Sequence, residues 1–152
     1  MMLHTIERAL TPGPSTSRLI DPVFRVLTSL IFVVGGMGHF FQDRMMLDRM
    51  AESPWQPLVS KLGDPLVLLW LSGAVFVIFG AALALGWMTR LSALLILITL
   101  LPVTITTHVV PDTSHVGPLF KNIAIIAALL LLLARGPGSY AIDNLSRPRH
   151  HV

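Results

Sequence analysis

The sequence predicts an all-α integral membrane protein, a bundle of four transmembrane helices. Three observations predict it. Apolar residues make up 53% and charged residues only 12% of the 152 positions, whereas soluble domains carry about a quarter charged residues. The apolar residues fall in four runs, each near the roughly 20 residues that cross a bilayer core. The charges gather between those runs, as a bilayer sorts them, because a charge at its centre is costly. With a mean hydropathy of +0.73, a soluble fold of this length would have too little polar surface to show water.

Each element can be argued in order. Residues 1–20 hold Pro, Ser, Thr and Arg with no apolar period and read as a flexible cytoplasmic tail. The first span covers about 22–41, with Asp21 as N-cap and Pro22 at the first helical position, where a missing N–H leaves nothing unpaired. A cleaved signal peptide is the poorer reading, because the leader is long and Arg25 interrupts the apolar stretch. The 42–64 connector carries a short amphipathic segment. Ser53 and Pro54 open it, and Trp55, Leu58, Val59 and Leu62 lie on roughly one face. The second span, 65–86, repeats the Asp-Pro start at Asp64 and Pro65, and the third, 91–110, has Thr89 as its cap. The fourth, 118–134, opens at Gly117-Pro118 and stops at Arg135-Gly136-Pro137-Gly138. Residues 144–152 form a basic cytoplasmic tail. The runs lack a period of two, so a β-barrel is a poor reading beside helices that satisfy their own backbone.

Four crossings place both termini on one side. That side holds Arg8, Arg18, Arg25, Arg90, Arg135, Arg147 and Arg149, and the other Arg44, Arg49, Lys61 and Lys121. Positive residues favour the cytoplasm, so the termini are expected inside. The pI near 10.2 is explained by these flanking arginines. No basic stripe interleaves with aromatics, so a nucleic-acid partner is not expected; the partners expected are membrane lipid and a protein in or on the membrane. The chain has no cysteine, which excludes disulfides and a thiol relay of its own.

Polar residues at membrane depth are the candidates for chemistry. His39 ends the first span, His108 the third, and Lys121 and Asn122 start the fourth, so topology brings all four to one end of the bundle. Gly35, one turn before His39, would let a neighbouring helix or flat ligand approach the imidazole. Pro102 interrupts the third helix's ladder, and Thr104, one turn before His108, is placed to orient its ring. The hydroxyls of Thr106 and Thr107 are expected to bond back to their own helix. Asn122 points about 100° from Lys121, so one of the two should face the bundle. The expected pocket sets His39 against His108, with Lys121 or Asn122 completing it. A neutral histidine there can donate to a quinone carbonyl, take a proton or ligate a metal. The spacing selects no metal. Haem held by two axial histidines is the weaker cofactor reading, and a quinone the stronger.

These residues also carry a resemblance. Gly35-Gly36-Met37-Gly38-His39-Phe40, the series Gly73, Gly80 and Gly86, then Thr89-Arg90-Leu91-Ser92-Ala93, Pro118 to Ala124, and finally Gly138 and Asp143 resemble the DoxX-like membrane proteins over about residues 20–145. The resemblance implies a four-helix inner-membrane bundle. Its relatives include the membrane subunit of a thiosulfate:quinone oxidoreductase, so it implies a redox subunit that anchors partners and holds or reduces a quinone. Many members carry an acidic residue where this chain has Trp70. The alternative function is a non-redox scaffold or small-solute transporter. The chain is not expected to be an enzyme by itself, having no soluble catalytic domain and no nucleotide or metal motif.

Overall fold

The structure is a computed structural model and describes residues 13–145. Among the described residues six α-helices follow one another: α1 Pro14–Phe41, α2 Asp43–Glu52, α3 Gln56–Leu62, α4 Pro65–Leu85, α5 Thr89–His108 and α6 Val116–Arg135. Two 3₁₀ turns, Thr113–His115 and Ile142–Asn144, flank the last helix. Among the described residues there is no strand. Four helical stretches are long and apolar enough to cross a membrane: Arg18–Phe41, Pro65–Leu85, Thr89–His108 and Thr113–Arg135.

The local signals hold for some ends and fail for others. The Asp64 carboxylate accepts from Leu66 N at 2.8 Å and Val67 N at 3.4 Å, capping α4 as the sequence suggests. Gly86, at φ 67°, ends α4 in the left-handed conformation that glycine adopts without steric penalty. Asp21 does not start the first helix. The helix begins a full two turns earlier, after Gly13, with Pro14 in its first turn and Pro22 inside. Residues 14–20, expected as tail, are therefore helical. Pro22 removes one ladder hydrogen bond, and the Asp21 carboxylate, not needed as a cap, accepts from Ser139 N at 2.9 Å. Asn144, expected in the second tail, closes the Ile142–Asn144 turn, and residues 1–12 and 146–152 of the expected tails lie outside the described residues.

Thr89 is not the cap of α5 either. It is the first helical residue, and the cap comes from far along the chain. One Asp143 oxygen accepts from Met88 N at 2.7 Å, and the other from Thr89 N and Thr89 Oγ1, each at 3.0 Å. The 42–64 connector folds as two helices, α2 and α3, where one was expected. Ser53 does not cap α3, whose first turn holds Pro57. The Ser53 hydroxyl instead donates to Thr106 O at 2.7 Å, and Trp55 Nε1 to Val109 O at 2.8 Å. Both acceptors are carbonyls that the end of α5 leaves without a helical partner.

The spanning helices run alternately up and down. α1 packs along α4, α4 against α5 and α5 against α6, while α1 and α6 touch only slightly. Phe32, Phe76, Leu83, Ile96, Leu100 and Leu129 lie in the core between them. Most other large apolar side chains face outward, Val34 at 68% and Leu71 at 60% exposure among them. That surface suits lipid, where helices associate through close packing rather than through expulsion of water.

Close packing is clearest between α1 and α4. A Cβ on Gly36 would lie 2.9 Å from Gly73 O, and one on Gly80 3.1 Å from Phe32 Cβ. The glycine that brings the helices together is Gly36. Gly35, expected to share the face of His39, is exposed, and a Cβ added to it would meet nothing within 4 Å. One residue is 100° around a helix, and the partner helix lies on the Gly36 side.

Candidate functional site

The polar residues form clusters at both ends of the bundle. At the end where α1 begins and α6 finishes, Arg25 is buried at 2% exposure. Its Nη1 donates to the carbonyls of Pro137 and of Ser139, the latter at 3.0 Å, and its Nη2 to Tyr140 O at 3.0 Å. Asp21 holds Ser139 N, and Asp143 N donates to Gly86 O at 3.0 Å. The 136–145 segment is thus a strap folded across the end of α4 and the start of α5 and against the Asp21–Arg25 stretch of α1. Gly86 and Gly138 make room for it: a Cβ on Gly86 would stand 2.6 Å from Ala141 Cβ, and one on Gly138 2.5 Å from Asp21 Cγ. Arg25 is therefore a structural cation and not a free charge flanking a span. The sequence signal for it was an arginine interrupting an apolar run, whose cost calls for partners.

The opposite end holds the four residues singled out by the sequence. His39 is buried at 8% exposure against α4. Its Nδ1 lies 3.1 Å from Leu69 O and 3.0 Å from Ser72 Oγ. The Ser72 hydroxyl donates to the same Leu69 carbonyl at 2.8 Å. A carbonyl only accepts, so Nδ1 carries the ring proton and Nε2 of the neutral ring is an acceptor. Among the described residues Nε2 has no hydrogen-bond partner. The ring stands edge-on to Phe76, with centroids 5.6 Å apart. Gly73 permits this approach: a Cβ there would lie 2.7 Å from His39 Cβ.

His108 is turned to a different neighbour. Its Nδ1 is 3.3 Å from Nδ1 of His115, and it is half-buried. The pair needs one protonated and one unprotonated Nδ1, so the two rings are opposite tautomers when both are neutral. Lys121 and Arg49 are its cationic neighbours. Asp112 caps the 3₁₀ turn that carries His115. Its carboxylate accepts from the Ser114 hydroxyl at 2.7 Å and Ser114 N at 2.9 Å, and these bonds hold it below the usual carboxylate range.

Asn122 faces the bundle and Lys121 does not. Asn122 is buried, and its Nδ2 donates to Thr104 Oγ1 at 3.0 Å, while the Thr104 hydroxyl donates to Leu100 O at 2.7 Å. Thr104 therefore joins α5 to α6 and does not orient His108 as the sequence suggested, because its hydroxyl proton is taken by its own helix. Thr106 bonds back to Pro102 O at 2.9 Å. Lys121 is exposed and lines a groove between α1 and α6. The hydrogen bonds and ring contacts of the described residues do not join His39 to His108: His39 looks into α4 and His108 towards His115. Ser72, the partner of His39, was missed; its only signal was a polar residue in an uncharged span. Trp70, where the family resemblance implied an acidic residue, is 44% exposed. Among the described residues no three His, Asp or Glu side chains stand close enough to share a metal ion.

The DoxX family model matches residues 21–109, more than half of the chain, running from the turn of α1 that holds Asp21 to the end of α5. None of the curated proteins and none of the solved structures matches the chain.

Proposed function

The chain belongs to the DoxX family, and from that premise we propose that it is the membrane subunit of a redox complex, anchoring a partner protein and holding a quinone at the end of the bundle that carries His39. The observation that carries this reading is the state of His39. Its Nδ1–H is fixed on Leu69 O beside Ser72, and its Nε2 is left without a partner. Among the described residues the enclosed side-chain nitrogen without a partner is Arg25 Nε, so His39 Nε2 keeps some access to the bundle surface, where a ligand can supply the missing hydrogen bond. A quinone, when bound, supplies the exchange of two electrons and two protons. His39 Nε2 accepts a hydroxyl of a bound quinol and takes that one of its two protons as it is oxidised. Once Nε2 is protonated, the ring donates to the quinone, whose carbonyls only accept. The Leu69 carbonyl then steadies the positive ring through Nδ1–H, as a second-partner carbonyl does for many functional histidines. In the opposite direction the protonated Nε2 gives that proton back. The electrons pass to or from the partner protein. Of the other expected residues, Asn122 braces α5 against α6 beneath this end, while His108 and Lys121 carry its polar surface.

We infer a cell inner membrane with both termini cytoplasmic, a reading supported by the arginine bias of the connectors, which persists at six to four when the internally bonded Arg25 is left out. A reporter fused at Glu52 should read as outside; a cytoplasmic reading there overturns this orientation. The function is tested by extracting the protein from its host in mild detergent and analysing bound small molecules by mass spectrometry. The expected result is a co-purifying quinone that His39→Gln loses while the helix content stays unchanged. Bulk phospholipid alone in the wild-type preparation would instead support a scaffold.

A further inference from the structure

Lys121 lies within the apolar stretch Thr113–Arg135. Among the described residues it makes no hydrogen bond and no ion pair. It lines a groove of ≈ 280 Å³ between α1 and α6, together with Leu27, Thr28, Ile31, Ala124, Ile125 and Ala128. These two helices meet far less closely than the other neighbours in the bundle. An unpaired cation at such a depth in an apolar cleft calls for an anionic partner.

We propose that the α1–α6 groove is a binding site for an anionic phospholipid, with Lys121 paired to the phosphate and one acyl chain lying along Leu27, Ile31, Ala124 and Ala128. The geometry fits that occupant in three ways. Lys121 is about 8 Å along α6 from Val116, and its Cα–Cβ bond tilts towards the helix N-terminus. The ammonium therefore snorkels towards the headgroups at that end of the bundle and stays near the level of the phosphates. Further along the helix, Ala124 and Ala128 keep the lining of the groove small, so a hydrocarbon chain can follow it inward. An acyl chain is far narrower than a partner helix, which is about 10–12 Å across, and suits a groove of this small volume. The site is separate from His39, which faces α4.

The test uses the purified full chain in detergent, incubated with dioleoyl phosphatidylglycerol or dioleoyl phosphatidylcholine at equal concentration, with native mass spectrometry counting retained lipid. One phosphatidylglycerol should be retained about fivefold more than phosphatidylcholine, the worth of one lysine near an anionic headgroup. Lys121→Gln should abolish the preference and Lys121→Arg keep it. Ala128→Leu, which fills the groove, should lower retention of both lipids. Lys121 is outside the packed interior, so the Gln variant should unfold at the wild-type temperature. Equal retention of the two lipids by the wild type, or a preference that survives Lys121→Gln, overturns the proposal. So does a membrane protein that co-purifies only when Lys121 is present and excludes phosphatidylglycerol, since the groove would then belong to a partner helix.

Discussion

Replacing Gly73 by alanine should separate α1 from α4 at the candidate site. The new Cβ would lie 2.7 Å from His39 Cβ, 3.0 Å from Gly36 O and 3.1 Å from Phe40 Cε2. Non-bonded carbons settle about 3.5–4.0 Å apart, and neither a Cβ nor a backbone oxygen can rotate out of the way. The helices must therefore part by about 1 Å. Overpacking of this kind costs about 1–3 kcal/mol. The hydrogen bond from His39 Nδ1 to Leu69 O, 3.1 Å long and one turn away, would stretch past its useful range, at a further cost of about 1 kcal/mol. Alanine also regains about 1 kcal/mol of helix propensity. Gly35→Ala removes that last term from the comparison, since its Cβ meets nothing within 4 Å and it gains the same propensity. The two variants should then differ by about 2–4 kcal/mol. Equilibrium unfolding in mixed micelles, followed by circular dichroism, measures the difference. Stabilities within about 0.5 kcal/mol of each other, the usual scatter for neutral changes, would refute the account of how these helices meet.

Three further outcomes follow from the geometry. Asp143→Ala should destabilise the bundle by about 1–2 kcal/mol through loss of the α5 cap, read as a lowered unfolding temperature, with faster amide exchange at Met88 and Thr89. The Thr104–Asn122 pair should respond unequally. Thr104→Val strands the buried Asn122 amide and should cost about 1–3 kcal/mol, while Asn122→Leu leaves the Thr104 hydroxyl bonded to Leu100 O and should cost about 0.6 kcal/mol; a double-mutant cycle in micelles measures both. Asp112 is held below the ordinary carboxylate range by Ser114, so its cap on the 113–115 turn should be fully present above that range and be lost only as pH falls through the lower folded value. Ser114→Ala should raise the Asp112 titration towards the ordinary carboxylate value by carbon-detected NMR, and an unchanged titration would show that Ser114 is not the cause.

The sequence by itself determined the class of the protein and the number of its spans. Bilayer thickness sets the length of an apolar helix, and backbone hydrogen bonding in lipid leaves few alternatives, so composition and run length suffice. It also placed His39, His108, Lys121 and Asn122 at one end, because alternating helices bring the end of one span level with the start of the next. Local capping was legible where the cap is local, as at Asp64. It was misread at Asp21 and Thr89, where the true partners lie more than fifty residues away, Ser139 for Asp21 and Asp143 for Thr89. Tertiary structure alone decided which face of each helix meets a neighbour. A shift of one residue turns a side chain by 100°. That rotation chose Gly36 over Gly35 and sent Asn122 into the bundle and Lys121 out of it. It turned His39 towards Ser72 and Leu69 rather than His108. Helix periodicity gives relative directions around each axis, but in an apolar span with few polar residues it does not mark which direction is inward. Only packing against the other helices supplies that reference, because lipid and protein interior are almost equally apolar.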